Sequence, residues 1–170
     1  MIVHMPGDLL KVQKDMNLDV ICHQVNCQGK MASGIAKQIR DTYPQVYDAY
    51  RAKYDAMVQY GTHIMLGDIQ LVALYEDFYQ EVKHQHVCNM FAQNNYGYDG
   101  KRYTSYDAFW MCLNNLRQAL QPGSTIGFPY LIGCDRGGAN WNVIEAMIKE
   151  VFDKDYIVYI VHYDGGKKNG

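Results

Sequence analysis

No run in this 170-residue chain approaches the roughly 20 apolar residues needed to cross a bilayer. The amino-terminal MIVHMPGDLL has no basic segment leading into an apolar one, so no secretory signal is legible either. The cysteines (22, 27, 88, 112 and 134) are irregularly spaced, contain no CxxC and are odd in number, which points to free thiols in a reducing compartment. A cytoplasmic location is therefore the expectation. Excess positive charge is also missing. The net charge is −2 and the sequence pI about 6.3, against a dedicated nucleic-acid binder with a basic face. An anionic ligand could not be gathered by the bulk field, so any phosphate site must be local. There is no GxxxxGK[ST], which excludes a P-loop nucleotidase, and no GxGxxG dinucleotide fingerprint.

With 48% hydrophobic and 20% charged residues, the composition is that of a globular protein about one domain long. No repeat or linker interrupts it. The expected domain is 1–164, followed by a flexible tail at 165–170, GGKKNG. The 15 tyrosines are read first as packing residues. Some could stack on a nucleobase, but composition does not choose them.

Short β-type runs alternate with helical patterns. Residues 19–25 read as a strand, followed by a turn at 26–30 and helical stretches at 33–41 and 43–57, the second opened by Pro44. Residues 64–74 hold strand-like alternation, and 86–92 form another β-type run. Residues 105–120 are the clearest helix, with Phe109, Leu113, Leu116 and Leu120 on one face and a Gln-Pro-Gly stop. A strand at 125–128 leads through a glycine-rich loop to a helix at 141–152, where Val143, Met147, Ile148 and Val151 form the apolar stripe. Residues 156–161 close the pattern as a strand. Such alternation implies helices on both faces of a sheet with substantial parallel pairing. In these folds ligands bind beyond the carboxyl ends of the strands.

Two loops have that position. The first, His23 to Ala36, joins a buried strand to a helix through Gly29, Ala32, Ser33 and Gly34. Small residues there let backbone N–H groups approach a phosphate, and the helix start adds a favourable dipole. Glycine-rich turns of this kind also occur for conformational reasons alone. The second loop, Phe128 to Trp141, repeats the arrangement with Gly133, Gly137 and Gly138. Two such loops at neighbouring strand ends could embrace a diphosphate from both sides.

Gly7-Asp8-Leu9, the His23 to Ala36 loop, and Ile132-Gly133-Cys134 leading to a Trp141 helix together resemble the macrodomain family. The branch with yeast ADP-ribose 1''-phosphate phosphatase and the human terminal ADP-ribose protein glycohydrolase is the most similar. The likeness spans about residues 1–162. It implies a three-layer α-β-α fold with a mixed central sheet, and ADP-ribose or a derivative as ligand. Asp8, flanked by Gly7 and Leu9, would accept the adenine amino group, although it also suits an N-cap before Leu9. Asn26 would contact the distal ribose. Lys30, Met31, Ala32, Ser33, Gly34 and Ile35 would wrap one phosphate. Ile132, Gly133, Cys134, Arg136, Gly137, Gly138, Ala139 and Asn140 would hold the other phosphate and the distal ribose. His162 and Tyr163 would lie by the adenine.

For catalysis, the resemblance sets His23 against a phosphatase histidine followed by two residues and Asn-Cys. A histidine there could carry a proton, or it could be a half-buried strand residue bonded to a neighbour. Asp135 would be the acid of the distal-ribose loop after a local shift, because an ungapped alignment puts the glycohydrolase's aspartate at Gly137. Arg136 could pair with it or simply face solvent. The glycohydrolase's lysine has no counterpart in Asn89-Met-Phe-Ala-Gln-Asn-Asn95, and Lys101 lies too far along the chain to replace it, so a lysyl adduct is not expected. No metal-ligand spacing occurs, and His84-Gln-His86 reads as surface strand or loop. No cofactor is expected, and the charge balance and the lack of a long apolar run argue against a nucleic-acid or membrane partner. The resemblance implies ADP-ribose, a derivative, or ADP-ribosylated protein. Two functions are open: a hydrolase acting at the 1'' position, on a phosphate or an ester-linked side chain, and a non-catalytic reader or sponge. A different nucleotide signal is a third, since fold does not fix function.

Overall fold

The computed structural model describes residues 1–74 and 85–165. The expected tail therefore lies, apart from Gly165, outside the described residues, as does His84. The chain begins with strand β1 (Ile2–Gly7), which the sequence reading did not include. Its apolar residues are interrupted by His4 and Pro6, and it is an edge strand, where a proline's missing N–H costs no ladder bond. Asp8 then caps α1 (Leu9–Met16), accepting from the amides of Leu10 and Lys11 at 3.1 and 3.2 Å.

The remaining elements follow the expected order with shifted ends. They are β2 (Val20–Val25), α2 (Gly34–Thr42), α3 (Pro44–Met57), β3 (Ile69–Leu74), β4 (Gln85–Phe91), α4 (Tyr106–Ala119), β5 (Thr125–Pro129), α5 (Trp141–Phe152) and β6 (Ile157–Tyr163). The first part of the expected strand region at 64–74 is instead a 3₁₀ turn, Thr62–Met65, so only its second half joins the sheet.

The six strands are ordered β1-β6-β5-β2-β4-β3, all parallel to their neighbours except β3, which runs antiparallel to β4. The sheet is mixed, as expected. Alternating side chains feed two cores. Val20 and Cys22 of β2 join Phe109, Leu113 and Leu116 of α4 and Ile144 and Ile148 of α5 on one face. Ile21 joins Leu9, Leu10 and Ile39 of α1 and α2, with Val46 of α3, on the other. The result is a three-layer α-β-α sandwich. Among the described residues no helix is long and apolar enough to cross a membrane.

One helix stripe departs from expectation. Val143 is exposed, and the buried positions of α5 are Ile144, Ile148, Val151 and Phe152. Their i, i+4, i+7, i+8 spacing matches a helix face at least as well as the expected set. Ile148→Ala should cost about 2–5 kcal/mol, seen as a lower urea midpoint, because it opens a cavity in a fully buried site. Val143→Ala should change stability by less than about 0.5 kcal/mol.

Candidate functional site

β2 and β5 are hydrogen-bonded neighbours only at their starts, where Val20 faces Ile126 and Ile21 faces Gly127. Beyond that point β5 stays with β6 as far as Pro129, and β2 stays with β4 as far as Val25. The sheet is thus split between their carboxyl halves. The chain leaving β2 enters α2 on one face, and the chain leaving β5 enters α5 on the other. Neighbouring strands whose connections diverge in this way make the crevice in which α/β folds bind ligands. The two glycine-rich loops flank it.

The first loop is shaped from beneath. The Tyr50 hydroxyl of α3 accepts the Lys30 amide at 3.0 Å and donates to Asn26, whose backbone and side-chain oxygens both lie at 2.8 Å. Asn26 also accepts from the Gln28 amide and donates to the Lys30 carbonyl, each at 2.9 Å. Its side chain therefore folds the turn, a role the sequence did not disclose. Gly29 takes a φ of 76° against Arg51 and Tyr54, where a Cβ would lie 2.4 Å from the guanidinium. Met31 is buried in a small core with Tyr50 and Phe91, so it anchors the loop. Ala32, Ser33 and Gly34 are left at the surface of the turn. The Ser33 hydroxyl makes no capping bond to α2. Gly34, with φ 57°, has nothing within 4 Å of where a Cβ would stand. The first amides of α2 consequently carry no side-chain cap, the arrangement that favours an anion.

The second loop is held from the opposite side. Gln24 of β2 donates to Gln93 and to Thr104, both at 2.7 Å, and the Thr104 hydroxyl donates to the Gly133 carbonyl at 2.8 Å. The amides of Tyr103 and Thr104 donate to the Gly137 carbonyl, and that of Ala139 to Gly133. A Cβ on Gly137 would sit 2.2 Å from the Thr104 hydroxyl, so only glycine fits there. Ile132 and Ala139 are buried and Cys134 is partly buried against the core, where burial pushes its thiol up to about 11. Asn140 caps α5 through the Asn142 amide. Asp135, Arg136 and Gly138 face outward. Arg136 reaches across and donates to the Ser33 hydroxyl, so the two loops touch. Its guanidinium also lies 4.4 Å over the ring of Tyr98.

Tyr98 belongs to a third wall, the loop at 92–105 between β4 and α4, where the sequence reading weighed only the missing lysine at Asn89–Asn95 and set Lys101 aside. An isolated bridge from Gln93 to Thr104 closes its base. Gly97, Tyr98, Gly100 and Lys101 of this loop, with Asp135, Arg136 and Gly138, line a cleft of about 350 Å³. The glycine-tyrosine run at 96–100 was its signal, unread because that loop lacks the small-residue helix start of the other two.

Asp8 sits at the β1 tip. Beyond its cap bonds, its second carboxylate oxygen accepts from Gln38 of α2 at 2.7 Å. His162 of β6 is hydrogen-bonded to His4 at 2.8 Å and stacked on Tyr130 with ring centroids 3.9 Å apart.

His23 is a correction. It is fully buried on β2, on the same face of the sheet as Ile21 and Val25, and is bonded through Nε2 to Asn89 at 2.5 Å. Asn89 in turn donates to Gln70 at 3.0 Å, making a polar ladder across β2, β4 and β3 in register. Burial pulls the imidazole down to about 4, more than the Asn89 bond raises it. A sealed, neutral ring inside a strand does not reach a ligand at the strand tips, so His23 is not placed for acid-base chemistry. Among the described residues no cluster of potential metal ligands occurs.

No family model matches the sequence. The chain is similar to an uncharacterized 17.5 kDa protein in the tk-vs intergenic region of Enterobacteria phage T4, 27% identical over 146 residues that cover 82% of this chain and 84% of that one. The macrodomain of Thermus aquaticus DarG superposes with a TM-score of 0.69 at 17% identity, covering 95% of this chain and 97% of that one. Thermosipho africanus DarTG in complex with ADP-ribose superposes with a TM-score of 0.72 at 16% identity, covering 99% of this chain and 43% of that one. The architecture described above is the macrodomain fold.

Two measurements test this geometry. Tyr50→Phe leaves the Lys30 amide without its acceptor and should cost about 1–3 kcal/mol, with faster hydrogen exchange at that amide. His23 makes stability depend on pH. Its folded value lies below the ordinary 6.5, so between about pH 6.5 and 4 the unfolded chain binds the extra proton. Stability should therefore be intact at pH 7 and fall by roughly 3 kcal/mol as pH drops through that window. His23→Gln should remove this component from the pH dependence of the urea midpoint.

Proposed function

We propose that this chain binds ADP-ribose in the split between β2 and β5 and hydrolyses the bond to a substituent at the 1'' position. The observation that carries the reading is the meeting of the two loops, with the uncapped start of α2 on one side and the Gly137-Gly138 turn on the other. A pyrophosphate there would be held by main-chain amides, a local site of the kind that a chain of net charge −2 needs for an anion. The solved Thermosipho africanus DarTG, of like fold, is in complex with ADP-ribose. The narrower likeness to the phosphatase and glycohydrolase branch rests on the sequence blocks at Gly7 to Leu9, His23 to Ala36 and Ile132 to Trp141.

In this reading adenine lies at the β1 and β6 tips, where Asp8 accepts its amino group with the carboxylate oxygen that now serves Gln38. Ala32 to Ile35 and Gly133 to Gly138 hold the phosphates. Asn26 and Met31 act from below by shaping the first loop. Asp135 is the acid in reach of the distal ribose, and it activates a water there. A non-catalytic reader is the second reading, favoured by one observation: the burial of His23 leaves Asp135 without a histidine partner in the crevice.

Calorimetry with ADP-ribose should show saturable one-to-one binding, and Asp8→Ala should weaken it about tenfold or more, the worth of a charge-assisted hydrogen bond. Incubation with ADP-ribose 1''-phosphate, or with protein carrying ester-linked ADP-ribose, should release the 1'' group. Asp135→Asn should slow that release about 10²–10⁴-fold. Binding without release from either substrate would leave the reader; no binding would overturn both readings.

A further inference from the structure

α2 carries a polar side chain toward the β1 tip that the ADP-ribose contacts above leave without a task. Gln38 stands four residues after Gly34, so the two share one face of the helix, one turn or about 5.4 Å apart. Ile39 beside it is fully buried in a core with Leu9 and Leu10 of α1, which fixes the rotation of α2 against α1. There Gln38 donates through Nε2 to Asp8 Oδ2 at 2.7 Å. The other oxygen of Asp8 is taken by the Leu10 and Lys11 amides, so the carboxylate is held and Oδ2 keeps its place. That oxygen has a second lone pair, and the carboxamide has a second N–H. Among the described residues Gln38 makes no other hydrogen bond. Both side chains are half-buried, leaving an acceptor and a donor side by side.

We propose that Gln38 reads the base: its second N–H donates to N7 of adenine while Asp8 Oδ2 accepts the neighbouring amino group. The proposal rests on the ADP-ribose reading and deepens it by naming the residue that orients the base. An amino donor next to the N7 acceptor is the edge that a glutamine carboxamide reads on adenine in DNA. Here Asp8 supplies the oxygen of that pair and Gln38 the N–H. The phosphates select N7 over N1, the other ring nitrogen that flanks the amino group. In an anti nucleotide the C8–N7 side of the base lies over the 5'-phosphate, and in this reading the start of α2 holds a phosphate at Gly34. The base edge turned toward α2, one turn further on, is therefore the N7 edge. A purine with a carbonyl at C6 sets an acceptor against the Asp8 carboxylate. With N7 held by Gln38, the ring cannot rotate to relieve that clash. Gln38 thereby turns a single contact at Asp8 into a selection for adenine.

The test is calorimetry on the intact chain with ADP-ribose and with its 7-deaza analogue, in which C–H replaces N7. The analogue should bind the parent about tenfold more weakly, because the Gln38 N–H loses its acceptor. In Gln38→Met, close in size but without a donor, the two ligands should bind within twofold of each other, at the weaker level. An analogue that binds the parent as tightly as ADP-ribose would overturn the assignment. So would a gap between the ligands that persists in Gln38→Met, the result expected if Gln38 only props Asp8, since both ligands then weaken by the same factor. The first comparison alters the ligand alone, so it decides whatever the stability of the variant. If ADP-ribose binds the parent saturably and the gap is absent or persistent, only the role of Gln38 falls. If ADP-ribose does not bind the parent, the ADP-ribose reading falls and the role of Gln38 with it.

Discussion

Everything at the carboxyl edge of this sheet depends on the parting of β2 from β5. Two residue pairs hold the strands together, and then each follows its other neighbour. A parting inside a sheet leaves main-chain groups that must find other partners. Here the gap is floored by side chains: Gln24 donates to Thr104, and Thr104 donates to Gly133. The polar floor ties the second loop to the chain after β4 and leaves the space above it open. Had Gly133 or Gly137 carried a side chain, the loop would have been pushed off that floor, because Gln24 and Thr104 occupy the volume a Cβ needs. Two glycines that look like generic loop residues are therefore fixed by close packing from below.

Much of the fold was legible because its strands and helices obey simple periodicities. Phe109, Leu113 and Leu116 of the expected α4 stripe are buried, while Leu120 caps the helix and is only partly buried, and both glycine-rich turns lie at strand ends as the alternation implied. β1 escaped notice because an edge strand interrupted by His4 and Pro6 has neither a continuous apolar run nor clean alternation. The α5 stripe slipped by one residue because Val143 and Ile144 are equally apolar, and only packing against the sheet chooses between them. Within the site, residue type misled where environment decides. A histidine on a strand can be a proton carrier or a rung in a buried ladder, and the register with Asn89 and Gln70 makes His23 the second. Asn26 likewise spends its hydrogen bonds on its own turn, under the Tyr50 hydroxyl contributed by α3. No local pattern around residue 26 encodes that partner.

The 92–105 loop shows a different limit. Its glycine-tyrosine run is a weak signal by itself, and Lys101 follows the β4 tip at a distance that removes it from any short motif. Space restores it. The bridge between Gln93 and Thr104 folds the segment back on itself, and the Asp99 carboxylate pins its tip, so Lys101 and Asp135 come to line one cleft although 34 positions separate them in the chain. A basic residue brought to a strand end by a returning loop leaves no mark in the sequence at the strand itself.

The charge distribution along the crevice then follows from where each wall originates. Between β2 and β5 the glycine-rich turns and the start of α2 offer main-chain amides, which in the proposed reading would solvate a pyrophosphate without requiring a buried cation. That is consistent with a chain whose acidic residues slightly outnumber its basic ones. Toward β4 the wall is a long loop at the surface, where lysine and arginine keep their heads hydrated and cost little to hold. In the proposed ADP-ribose reading, main-chain dipoles would serve the pyrophosphate, and amides fixed by packing would recognise a group common to every ligand of the class. A side chain at the rim can be exchanged without disturbing the floor of Gln24 and Thr104 that holds the second loop.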